Sequence, residues 1–149
     1  MLVLPGVQPV QLRLQREAMI TADQLVCHAI GDYILQSHWM ATEKTKRSFA
    51  ALGHVFFYAL PFMFLRPSLA AWAVIVGTHF VIDRWRLARF VVWAKNVGLG
   101  ATGPEMSWAN CKVTGYPSET PAWLSVWLLI IADNIMHVLI NAAALKYLP

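Results

Sequence analysis

The chain has 149 residues, of which 58% are apolar and only 13% charged, and its formal net charge is +4. That length suits one domain and excludes a second independent core. Soluble domains carry roughly 25% charged residues, so this composition, with a mean hydropathy of +0.50, points to a membrane-embedded protein and disfavours a nucleic-acid binder.

Residues 1–20 read as an irregular leader. Pro5 and Pro9 interrupt it, and it has neither the early positive charge nor the long apolar run of a cleavable signal. Thr21, followed by Asp23 and Gln24, predicts a helix start, and the first helix is expected to reach about Met40. Gln24, His28, Asp32 and Gln36 recur every four residues as one polar stripe on an apolar helix. Such a stripe faces water or a shared polar site, which favours packing against the other helices over a full crossing. Ala41 to Arg47 is a basic connection. From Ser48 to Leu65 the chain is apolar except for His54, close to the roughly 20 residues that cross a bilayer.

Arg66-Pro67-Ser68 predicts a tight break, with Ser68 capping the third helix. That helix is apolar from Leu69 to Ile82 and basic and amphipathic from Asp83 to Lys95, as expected of an oblique helix emerging into headgroups. Residues 96–120 hold Gly98, Gly100, Gly103, Pro104, Gly115 and Pro117 and read as a long loop. Trp108, Cys111 and Tyr116 predict that this loop is ordered, in the manner of a lid. Pro121 opens a last helix to about Tyr147, apolar apart from Asp133, Asn134, His137 and Asn141. The expected fold is all-α, a four-helix membrane-embedded bundle in one domain over residues 1–149, with a long loop before the last helix. Lys44, Lys46 and Arg47, and again Arg84, Arg86, Arg89 and Lys95, place two basic stretches beside anionic headgroups on the cytoplasmic side.

The residues that carry chemistry are His28, Asp32, His54, His79, Asp83, Asp133 and His137. Six of them form i, i+4 pairs (His28–Asp32, His79–Asp83 and Asp133–His137), which sets each pair on one helix face. A single His in an apolar helix is usually a satisfied core residue; seven such groups across four helices need a common explanation. Each Asp deep in a bilayer costs about 2.5–3.5 kcal/mol, and ion pairing between buried groups roughly breaks even. A divalent ion offsets more, up to about 10–16 kcal/mol in small zinc peptides. Imidazole and carboxylate without thiolate suit zinc, with manganese or iron as alternatives, and seven groups suffice for one or two ions. Cys27 and Cys111 read as free thiols. Cys27 is about 100° around the helix from His28, and His38 is about 80° off the stripe, so both are left out of the site.

The strings HAIGDYILQSHWM, THFVIDRWRLARFVVWAKN and PAWLSVWLLIIADNIMHVLIN resemble an uncharacterised family of bacterial and tailed-phage membrane proteins, domain of unknown function 3307, over roughly residues 25–145. The resemblance implies a helical, membrane-associated protein of the bacterial inner membrane, encoded by a bacterium or a phage. More loosely, the His–Asp pairs in apolar helices are similar to inner-membrane proteins described as metal-dependent hydrolases and compared with zinc-dependent phospholipase C. The chain has no Pro-x-His-x-x-Asn element of the phospholipase type.

These readings predict a membrane-integral, metal-dependent hydrolase of a phosphate ester or phosphodiester, lipid substrates included. Asp32, Asp83 and Asp133 are the expected oxygen ligands or catalytic base, and Arg84 and Arg86 the expected ligands of a substrate anion. The expected partners are the bilayer and the phosphate substrate, with self-association left open. The competing reading is a non-enzymatic membrane scaffold or host-interaction protein, in which the same residues hold a structural metal or a polar network.

Overall fold

The computed structural model describes residues 19–148, with seven α-helices and no strand among them. The leader expected over 1–20 lies almost wholly outside the described residues. Helix α1 (Ala22–Ala29) starts at the capping box the sequence announces: the Thr21 hydroxyl accepts from the Gln24 amide, and the Gln24 side chain accepts from the Thr21 amide. The helix then widens into a π turn, Ile30–Ile34, and stops. Ser37 caps a separate short helix α2, His38–Glu43. One helix to Met40 was expected; the structure has three segments.

Helix α3 (Ser48–Ala59) continues as a 3-10 turn, Pro61–Leu65, where Pro61 cannot donate to the α-helical ladder. Arg66, in the left-handed region at φ 50, reverses the chain, and Ser68 caps α4 (Leu69–Trp85) by accepting from the Ala71 amide, as expected. The third helix does not run on to Lys95. Arg86, also left-handed at φ 52, ends it and starts α5 (Ala88–Gly98) in a new direction. The loop over 96–120 is ordered: it contains a 3-10 turn, Pro104–Met106, and helix α6, Trp108–Cys111. Trp108 stacks on Phe90 with ring centres 4.5 Å apart, and the Trp93 indole donates to the Met106 carbonyl at 2.9 Å. The last helix, α7 (Ala122–Tyr147), has the expected bounds.

Helix α4 packs against both α3 and α7; α1 packs against α7 and against the 3-10 turn that follows α3, and the π turn packs against α3. A core of Cys27, Tyr58, Phe62, Ala71, Ile75 and Ala144 joins them. Gly31 is what lets the π turn sit against α3, because a Cβ there would lie 2.6 Å from the Tyr58 carbonyl oxygen. Among the described residues, two helical stretches, Ser48–Leu65 and Ala122–Tyr147, are long and apolar enough to cross a membrane. Their outer faces are apolar as well: Phe49 and Phe56 on α3 and Trp123, Trp127, Ile131 and Ile135 on α7 are exposed.

Candidate metal centre

Five elements deliver the polar residues to one place. Asp32 comes from the π turn, Lys44 from the end of α2, His54 from the middle of α3, His79 and Asp83 from the last two turns of α4, and Asp133 and His137 from the middle of α7. The i, i+4 spacing stacks His79 on Asp83 along the inner face of α4, with Nε2 and Oδ2 3.3 Å apart. The antiparallel α3 sets His54 opposite them, and the two Nε2 atoms of His54 and His79 stand 3.0 Å apart.

Asp32, His54, His79 and Asp83, all buried, form a group whose ligand atoms lie within 4.8 Å of one another and that can hold a metal ion. His54 Nε2 is 3.2 Å from Asp32 Oδ1 and 3.2 Å from Asp83 Oδ2, and His79 Nε2 is 3.9 Å from Asp32 Oδ1. Four ligands around a tetrahedral ion at about 2.0–2.1 Å are about 3.3 Å from each other. All of these edges except His79–Asp32 fall between 3.0 and 3.3 Å. The outer Nδ1 atoms of His54 and His79 are buried without a hydrogen-bond partner. Polar contact through these two rings therefore runs through the converging Nε2 atoms.

Lys44 departs from the placement its neighbours suggest. Lys46 and Arg47 beside it point to a headgroup-facing cluster, yet the Lys44 ammonium turns inward. It stands 2.7 Å from Asp83 Oδ2, 3.2 Å from His54 Nε2 and 3.7 Å from Asp32 Oδ1, over one face of the four-residue group. Burial alone would lower the Lys44 pKa, but the carboxylates of Asp83 and Asp32 hold it above the ordinary value. Burial likewise pushes Asp32 up, and the His54 hydrogen bond and the Lys44 charge overcome that, bringing its carboxyl down to about 2. No single-helix pattern carries a signal for an inward lysine on a polar connection.

His28 takes a different role from the other three histidines. Its Nδ1 lies 3.0 Å from the Tyr58 hydroxyl and its Nε2 2.7 Å from Asn134 Oδ1, leaving Asp32 at 4.0 Å. Burial pushes its pKa below the ordinary value, favouring a neutral ring. The Tyr58 hydroxyl accepts from Asn141 at 2.6 Å, and Asn134 donates to the Tyr33 hydroxyl. These bonds form a continuous chain from the core to Tyr33. Tyr58 also stacks on His79, ring centres 3.6 Å apart, which fixes the plane of that imidazole. His28, expected among the ligands, belongs to this supporting wall.

A second group joins the first. Asp83, Asp133 and His137 can also hold an ion: His137 Nε2 is 3.3 Å from Asp83 Oδ1 and 3.5 Å from Asp133 Oδ2. The helix packing brings the His79 and His137 rings to 4.1 Å. A cavity of about 520 Å³ opens onto this side, lined by Asp32, Lys44, Asp83, Arg86, Asp133 and Asn134, with Val113 and Thr114 of the loop at its edge. Of the two expected anion ligands, Arg86 lines the cavity, and its Nη2 donates to the Val113 carbonyl at 2.9 Å. Arg84 instead donates to the carbonyls of Thr45 and Lys46 and to the Ser48 hydroxyl, bracing the connection before α3. Cys27 donates to the Pro61 carbonyl and, like Cys111, is a buried free thiol.

The family model of the proteins of unknown function DUF3307 matches residues 20–145, and the chain belongs to that family. No curated protein and no solved structure matches it.

Proposed function

We propose that this DUF3307 chain is a membrane-integral, metal-dependent hydrolase of phosphate esters or phosphodiesters, lipid phosphates included, in the bacterial inner membrane. The observation that carries the reading is the convergence of ligand atoms from Asp32, His54, His79 and Asp83, delivered by three separate elements, all within 4.8 Å of one another and with His54 3.0–3.2 Å from the other three. Two nitrogens and two oxygens in that arrangement favour zinc over manganese or iron. The apolar outer faces of α3 and α7 support a bilayer around the two long helices.

A divalent ion supplies Lewis acidity and activates water at neutral pH. This chain's residues supply the rest. Arg86, at the mouth of the cavity, holds the phosphate oxygens. The half-buried Asp133, the carboxylate with the most access to the cavity, accepts the proton from the attacking water. The water oxygen bonds to phosphorus, the ester P–O bond breaks, and the alcohol leaves with the proton held by Asp133. Tyr58, held by His28 and Asn141, orients the His79 imidazole by stacking on it.

A second reading rests on Lys44. Its ammonium already neutralises part of the carboxylate charge, so the same residues also suit a metal-free polar network in a scaffold or host-interaction protein. Elemental analysis and turnover of bis-p-nitrophenyl phosphate, on detergent-purified protein and on His54→Ala, separate the two. The hydrolase reading expects about one or two bound ions and turnover that His54→Ala lowers by about a thousandfold while the fold persists. A metal-free wild type that unfolds on His54→Ala establishes the scaffold.

A further inference from the structure

Asp83 presents its two carboxylate oxygens to different partners. Oδ2 faces the Lys44 ammonium at 2.7 Å and His54 and His79 at 3.2 and 3.3 Å, and Oδ1 faces His137 at 3.3 Å. One carboxylate facing two ligand groups through opposite oxygens is the geometry of a bridge between two ions, which in dinuclear hydrolytic sites stand about 3.5–4 Å apart.

The two groups are unequal. The inner one has four buried protein residues, the number that closes a tetrahedral site. The outer one has three, Asp83, Asp133 and His137, which leaves a coordination position unfilled by protein. Its Asp133 side chain is 26% exposed and, with Asp83, lines the cavity that also holds Arg86. His137 itself is buried and draws on both carboxylates. Three carboxylates meet here, while Lys44 and Arg86 are the cations on the cavity wall. Two divalent ions would leave the pocket positive, as a phosphate dianion requires.

We propose that Asp83 bridges two divalent cations, a retained inner ion and an exchangeable cavity-side ion on Asp133 and His137, and that the cavity-side ion binds the substrate's phosphate oxygen together with Arg86. This rests on the hydrolase reading and deepens it. With Asp133 bound to the ion, the proton acceptor becomes the Asp133 oxygen not engaged by the metal.

The full-length protein in detergent, stripped with chelator, is titrated with Mn²⁺ and followed by electron paramagnetic resonance and ion counting. The wild type is expected to bind two ions per chain and to show exchange coupling between them. Asp133→Asn, nearly isosteric and half-exposed, is expected to weaken the second ion at least tenfold and abolish the coupling while the first ion stays. His137→Gln gives the same pattern. Inorganic phosphate is expected to perturb the coupled signal in the wild type and to bind more weakly in Arg86→Ala. One ion per chain at saturation, or two ions unaffected by both Asp133→Asn and His137→Gln, overturns the bridge. Hydrolysis by a one-ion protein would remove this inference alone, whereas two coupled ions without turnover would remove the hydrolase reading and leave the bridge.

Discussion

The pairs His28–Asp32 and His79–Asp83 share one spacing in the sequence and meet different fates in the structure. The second lies in a regular stretch of α4, where four residues make about one turn, and its imidazole and carboxylate point into the same ligand group at 3.3 Å. In the first, the helix widens into a π turn at Ile30, so the carboxylate is rotated away from the histidine one turn before it. Asp32 reaches the group that can hold a metal ion, while His28, 4.0 Å away, turns to Tyr58 and Asn134. Equal spacing fixes a shared face only as long as the helix keeps its pitch. The π turn is thus what separates a candidate ligand from the residue that braces the site, and such turns recur at functional sites.

The largest difference between the two pairs is expected when each histidine is exchanged for alanine. His79→Ala removes a ligand and is expected to lower metal affinity and phosphodiester turnover by about a thousandfold or more. His28→Ala removes only an orienting partner and is expected to cost about 10–100-fold. Side-by-side metal titration and kinetics decide it, and equal losses would return His28 to the ligand set. Next in size is Lys44→Met. Removing the ammonium from between Asp83 and Asp32 is expected to destabilise the metal-free protein by about 3–5 kcal/mol, because a buried charge loses its partner. The same change is expected to tighten divalent binding about tenfold, because the ammonium no longer repels the ion. Thermal unfolding with and without Zn²⁺ measures both, and weaker binding in Lys44→Met would make the lysine a support for the ion instead of a competitor. The smallest effect is expected from Gly31→Ala. The new methyl meets the Tyr58 carbonyl, and overpacking of this kind costs about 1–3 kcal/mol, read as a lower melting temperature. Loss of Asp32 from the site, with metal affinity reduced more than stability, would show that the π turn is held in place by this contact.

Much of the architecture was legible because it is local. The Thr21 capping box, the Ser68 cap, the break at Arg66-Pro67 and the long apolar run from Ala122 are short-range patterns, and each appears where the residues predict it. The breaks at Gln36-Ser37 and Arg86 were missed because hydrophobic periodicity continues through them. Ser37 caps the short helix that follows it by accepting from the Met40 amide, and the left-handed Arg86 is held from outside its own helix by its bond to Val113. Lys44 was read by its charged neighbours, and nothing within a turn of it reveals carboxylates contributed by the π turn and α4.

The sequence alone determined that the protein is helical and apolar, and that His28, His54, His79 and His137, with Asp32, Asp83 and Asp133, share the inward faces of their helices, since these follow from composition and from a period of about 3.6 residues. Tertiary structure decided which of them meet. It divided the two oxygens of Asp83 between two groups, brought Lys44 over one of them, gave His28 to Tyr58 and Asn134, and sent Arg84 to the chain while leaving Arg86 at the cavity. Contacts of this kind join residues from 10 to 106 positions apart. Their geometry depends on the angles at which whole helices pack, which no local repeat encodes.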